Sequence, residues 1–137
     1  MPSIFIQAST DQVFEAMCDL TRHAKWAAHA ITIGAEQEGP PAVGNTYTSV
    51  HKEKAPDRLT VTEMAPNERF VFHSVMSNNW ELDITMTSAA QGDGTLVTRG
   101  AKGAKTPLPM KLLLPLVGGA TDKKLLKNMK AELEGAG

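Results

Sequence analysis

From Trp80 to Gly94 the chain repeats with a period of two. Trp80, Leu82, Ile84 and Met86 alternate with Glu81, Asp83 and Thr85, and the run stops at Gln91-Gly92-Asp93-Gly94. Successive side chains of a strand point to opposite faces, so this run predicts a strand with one face in a core and one in water. Six further segments read as strands: Ile4–Ile6, Ile31 with Ile33, Val43–Lys52, Leu59–Met64, Arg69–Met76 and Thr95–Ala101. Turn residues separate them at Glu38-Gly39-Pro40-Pro41, Ala55-Pro56-Asp57, Ala65-Pro66-Asn67-Glu68 and Ser77-Asn78-Asn79.

Helical spacing is confined to two places. After the first strand, Ser9 with Gln12 forms a capping box, and Val13, Phe14, Met17 and Leu20 make an apolar stripe. Asp19 or Thr21 then caps a second short helix that carries Trp26. Near the end, Leu113, Val117, Ala120, Leu125, Leu126, Met129 and Leu133 recur at three- and four-residue intervals, predicting a helix from about Leu108 to Glu134. Pro115 and Gly118-Gly119 predict a kink or break, with firm helix from about Thr121. The expected architecture is α+β: one domain over residues 1–137, a curved antiparallel sheet of about seven strands, and a long C-terminal helix across it. A helix spanning a strongly curved sheet leaves a gap, which is the default ligand site of such a fold.

Composition narrows the function. The 137 residues suit one domain with a real core, and 42% hydrophobic with 21% charged residues is ordinary for a globular protein. A net charge of -1 argues against nucleic-acid binding through a basic surface. The charge is divided, however: residues 1–98 hold 6 Lys/Arg and 12 Asp/Glu, and residues 99–137 hold 8 and 3. That basic end reads as the solvated face of a helix, with weak contact to a membrane surface as the alternative. Cys18 is the only cysteine, which excludes an internal disulfide; its helical position makes it a small buried hydrophobe. Met1–Ile6 lacks the features of a signal peptide, and the apolar run Met110–Ala120 is too short to span a bilayer. A soluble cytoplasmic protein is expected, as monomer or homodimer.

The landmarks fall in a familiar order: Ala8-Ser9 to Val13-Phe14, Asp19-Leu20-Thr21-Arg22 with Trp26, and Gly39-Pro40 with Val43-Gly44-Asn45. Val61-Thr62-Glu63, Pro66-Asn67-Glu68-Arg69, Trp80 and Gly94-Thr95-Leu96-Val97-Thr98 follow. This series, spanning residues 4 to 133, resembles the SRPBCC or START-like superfamily, which includes polyketide cyclase/dehydrases and lipid-transfer domains. The resemblance implies a helix-grip fold with an apolar cavity between sheet and C-terminal helix. It leaves the activity open, since carriers, cyclases and interaction modules share that scaffold.

Candidate ligand-binding residues are those expected on the inward face. They are Leu59 and Val61; Phe70, Phe72 and Ser74, with Met76; and Trp80, Leu82, Ile84 and Met86. Trp26 packs near the pocket or plugs one end of the sheet. Met110, Leu113 and Val117 belong to a Pro- and Gly-broken segment that suits a gate. Seven methionines and few aromatics fit an adaptable lining. Tyr47, Ser49 and His51 share one strand parity and form the only acid/base set, but the opposite parity, with Thr46, Thr48 and Val50 inward, is equally open. His51, beside Lys52 at a strand end, reads as solvated. His73 shares the parity of Val71 and Val75 and belongs outside; His23 and His29 read as exposed. No metal site or cofactor motif is expected. Gly92-Asp93-Gly94 is a hairpin turn, and Glu81 and Asp83 lie on the solvent parity. The leading reading is binding or transport of a small hydrophobic molecule such as a lipid, polyketide or aromatic. The alternatives are a polyketide cyclase/dehydratase-type enzyme and a protein-interaction module.

Overall fold

A computed structural model describes residues 1–52 and 55–135, and all of their side chains except those of residues 110 and 112–118. The chain runs β1 (Ser3–Ile6), α1 (Thr10–Cys18), α2 (Leu20–Trp26), β2 (Ile31–Ala35), β3 (Thr46–His51), β4 (Asp57–Ala65), β5 (Arg69–Val75), β6 (Glu81–Gln91), β7 (Gly94–Lys105) and α3 (Leu108–Gly135). The strands form one sheet in the order β1-β7-β6-β5-β4-β3-β2, with every neighbouring pair antiparallel. β2 to β7 form a meander, and β1 closes the far side by pairing with β7. This is the α+β helix-grip arrangement. Between Val61 and Glu63 the β4–β5 register slips by one residue. Such a bulge bends a strand and increases its twist.

Both predicted caps form. The Ser9 hydroxyl accepts from the Gln12 amide while the Gln12 side chain accepts from the Ser9 amide. Asp19, rather than Thr21, caps α2 and accepts the Thr21 amide at 3.0 Å. Other boundaries differ from the sequence expectation. Val43 precedes β3 because Gly44 turns the chain at φ +93°, a conformation glycine adopts without strain. Trp80 precedes β6: Asn78 accepts the Trp80 amide, and the strand register is irregular between Glu81 and Leu82. β7 extends to Lys105 because β6 offers it a partner along its whole length. α3 runs unbroken through Pro115 and Gly118-Gly119. A proline withdraws one donor, and the rest of the ladder and the packed C-terminal half hold the helix.

The core lies between the sheet, α1, α2 and the second half of α3. Trp26, Phe70, Met17, Leu20, Met86, Leu126 and Met129 are fully buried there. α3 is anchored at several points. Asn128 donates to the Trp26 carbonyl at 2.9 Å, and Arg22 pairs with Glu132 at 2.7 Å. Lys130 donates to the Phe5 carbonyl at 2.7 Å, and Glu134 accepts the Gln7 amide at 2.8 Å. Burial pushes the Cys18 thiol up to about 12, consistent with a packing role. Among the described residues, no helix is long and apolar enough to cross a membrane.

His73 lies on the outer face. Its Nδ1 reaches Asp83 at 2.8 Å and its Nε2 reaches Glu81 at 2.7 Å. Carboxylates only accept, so both ring nitrogens donate and the ring is held as the cation. Hydrogen bonds to Asp83 and then Glu81 raise the His73 pKa above its ordinary 6.5. This stabilisation is complete below pH 6.5 and is lost as pH rises through the raised value. Urea unfolding across that window is expected to show stability falling with pH in the unmodified protein and a flatter profile in His73→Gln. Parallel profiles would show that the triad contributes nothing.

Candidate functional site

Sheet, α2 and α3 border a half-open cavity of about 370 Å³. Leu20 and the Ala27–Ala28 segment form one side, and Leu125 comes from α3. The sheet supplies Ile31, Ile33, Leu59, Phe72, Leu82, Ile84 and Ala101, with Met76 just beyond β5. Polar groups interrupt this wall: His23, His29, Ser49, His51, Asp57, Ser74, Arg99, Thr121 and Asp122.

The charged groups are paired. Arg99 Nε donates to Asp122 at 2.9 Å, and each side chain is only 13% exposed. Burial pulls the Arg99 pKa below its ordinary value, and Asp122 opposes that shift. The guanidinium lies 5.9 Å from the Phe72 ring centre, within cation–π range. His51 Nε2 meets Asp57 at 2.9 Å, and the other Asp57 oxygen accepts the Ser77 amide at 3.1 Å. Asp57 therefore fixes the ring orientation of His51.

His23 is buried against Trp26 and Phe72, with ring centres 4.8 Å and 5.9 Å away. Its Nε2 donates to the Met17 carbonyl at 2.8 Å. Burial, helped by the nearby Arg99 charge, lowers its pKa to about 3, so the ring is neutral and Nδ1 carries a lone pair. His23 Nδ1 and Arg99 Nη1 are both buried and have no hydrogen-bond partner among the described residues. A buried group left unpaired costs about 1–3 kcal/mol. Among the described residues, no group of three or more His, Cys, Asp or Glu side chains is placed to hold a metal ion.

Of the residues expected to contact ligand, Leu59, Phe72, Ser74, Leu82 and Ile84 line the cavity. Trp26, Val61, Phe70 and Met86 pack in the core off its wall, with the Trp26 ring 4.8 Å from that of the wall residue His23. Trp80 sits in the turn before β6 and is off the wall. The side chains of Met110, Leu113 and Val117 lie outside the described residues. The open parity of β3 is settled: Tyr47 and Ser49 are buried and Val50 is exposed. His51 borders the cavity with its ring fixed by Asp57, and its side chain remains 34% exposed to water as expected. Tyr47 is buried off the cavity wall, so it does not join Ser49 and His51 there. His23, expected to be exposed, is buried because it faces the sheet beside Trp26. His29 is exposed as expected but borders the cavity.

A family model described as Activator of Hsp90 ATPase homolog 1-like protein matches residues 7–112. The chain belongs to this family. Its structure is similar to that of the KanY protein: 21% identity, TM-score 0.71, covering 98% of this chain and 95% of KanY. It is similar to the Aha1 dimer from Colwellia psychrerythraea at 18% identity and TM-score 0.66, covering 97% and 93% of the two chains. It is also similar to DynU16, a protein of the dynemicin biosynthetic locus, at 16% identity and TM-score 0.66. That match takes in 96% of this chain but only 47% of DynU16, so this chain spans about half of DynU16's length. At such identities the likeness speaks to the fold alone; the family match over residues 7–112, taken with that fold, places this member of the Hsp90-activator-like family in the SRPBCC superfamily. No curated protein sequence matches the chain.

Sequence reading passed over Arg99, Asp122, Asp57 and His23. A signal existed for Arg99, which shares the parity of Thr95 and Val97, both fully buried. Asp122 and Asp57 gave none, because a carboxylate in a helix turn or loop usually faces water.

Two measurements follow from these geometries. Asp122→Ala leaves the buried Arg99 charge without its partner and is expected to lose about 3–5 kcal/mol in urea unfolding. Arg99→Met with Asp122→Leu is expected to recover most of that; equal losses would mean that an unpaired buried charge is not the cause. His23 binds a proton in the unfolded chain below pH 6.5 but in the folded chain only near 3. Stability from this residue is therefore whole above pH 6.5 and falls by about 1.4 kcal/mol per pH unit below it. His23→Phe is expected to remove that slope.

Proposed function

We propose that the protein binds a small, largely apolar molecule in the cavity beneath α3, as a carrier or receptor. The observation that carries this reading is the 370 Å³ space with a mainly aliphatic wall and a few fixed polar groups. Membership of a superfamily whose fold is compatible with hydrophobic ligands supports it. Burying about 300 Å² of a ligand's apolar surface contributes about 7 kcal/mol. The freedom lost on association removes about 4 kcal/mol or more. A plain hydrocarbon should therefore bind only in the millimolar range, and polar contacts must supply any tighter affinity.

A second reading rests on the His51–Asp57 pair. With Nε2–H directed at Asp57, Nδ1 of a neutral His51 is the proton acceptor, and Ser49 stands on the same strand face. Such a pair suits proton abstraction in a cyclase or dehydratase-type reaction.

Native mass spectrometry of the protein purified from its own host is expected to reveal a co-purifying apolar molecule. Ala101→Phe, which fills the cavity, should purify without it. An empty protein whose wall resonances are also unmoved by ethylbenzene and by its phenol and carboxylate counterparts would end the binding reading. If His51→Gln retains the co-purified molecule but no longer converts it, the enzyme reading prevails.

A further inference from the structure

The cavity contains a built polar end whose chemistry selects among apolar ligands. Arg99 from β7 and His23 from α2, far apart in sequence, both wall the cavity and both pack on Phe72. Each holds one buried polar atom with no partner among the described residues: a donor at Arg99 Nη1 and an acceptor at His23 Nδ1. Such atoms are seldom left unpaired in a folded protein. A group that completes both must accept one hydrogen bond and donate another. Both atoms are covered in this structure, so a ligand in the adjoining cavity reaches them only when the Arg99 and His23 side chains shift.

Charge decides between the candidates. Arg99 is already neutralised by Asp122, and Asp57 adds a second carboxylate to the wall, facing His51. With the neutral His23, no cation at this end is left uncompensated. A carboxylate ligand would give up its hydration, meet the lone pair of His23 Nδ1, and lie near Asp122. A hydroxyl meets none of these objections: its oxygen accepts while its hydrogen is donated.

Resting on the binding function proposed above, we infer that the cavity selects a neutral, hydroxyl-bearing apolar molecule, a phenol or alcohol, over the matching hydrocarbon or carboxylate. Arg99 Nη1–H donates to the ligand oxygen, and the ligand O–H donates to His23 Nδ1. Ser49 and Ser74 on the sheet wall lie within the same space and tolerate further oxygen groups.

The test is an NMR titration of the full chain at neutral pH with 4-ethylphenol, ethylbenzene and 4-ethylbenzoate, following amide shifts of Ser49, Phe72, Ile84 and Ala101. The three probes share a ring and side chain and differ only in the polar group. The phenol is expected to bind at least about fivefold more tightly than ethylbenzene, and more tightly still than the benzoate. His23→Phe, which keeps the ring packing, is expected to bring the phenol to the level of ethylbenzene while leaving ethylbenzene unchanged. Equal binding of phenol and hydrocarbon, or tighter binding of the benzoate, overturns this inference and leaves the binding function standing. Failure of all three probes to move the wall resonances overturns both. The comparison of probes on the unaltered protein decides the matter even where His23→Phe does not fold.

Discussion

The ion pair between Arg99 and Asp122 fixes where the C-terminal helix crosses the sheet. Two largely buried charges cannot drift apart without exposing one of them to an apolar surrounding. Asp122 is therefore held over β7, and the turns after it follow. Leu125, Leu126 and Met129 enter the core, while Asn128, Lys130, Glu132 and Glu134 tie α3 to α2 and to the chain around β1. Every one of these anchors lies at or beyond residue 122.

The sheet's inner face divides accordingly. One part carries large side chains, with Trp26, Val61, Phe70 and Met86 closing the space beneath α1, α2 and the end of α3. The other part, around Leu59, Phe72, Leu82 and Ile84, also carries the small Ser49, Ser74 and Ala101, and Ala27 and Ala28 face it from the end of α2. Small residues facing a helix whose position is fixed elsewhere leave a void, because the helix cannot settle inward to fill it. The cavity thus lies where small groups from the sheet and from the end of α2 meet, beside a helix pinned at Asp122.

The histidines show how strongly location governs charge. His23 and His73 begin with the same intrinsic affinity for a proton. Burial beside Arg99 keeps His23 neutral, whereas hydrogen bonds to two carboxylates on the outer face raise the proton affinity of His73. The two residues consequently respond to pH in opposite directions. A neutral acceptor beside the cavity and a carboxylate-paired imidazole on the sheet's outside are products of one fold acting on one residue type.

Much of this architecture can be read from the chain. Period-two runs such as Leu82–Met86 mark strands, the Ser9/Gln12 box marks a helix start, and Leu125–Met129–Leu133 marks a helix face, because local geometry ties side-chain direction to sequence spacing. Parity also places Leu59, Phe72 and Ile84 inward. Parity does not tell a core position from a cavity position, so Val61, Phe70 and Met86 could not be separated from their neighbours in advance. Nor could the sequence show that His23 would be buried or that Asp57 would fix His51 beside the cavity. The sequence by itself determined the elements, their order and the inward faces of β4, β5 and β6. Tertiary structure alone decided where the interior stays empty and which polar groups meet there. Those outcomes depend on distances between residues remote in the chain, such as Arg99 and Asp122, which no local pattern encodes.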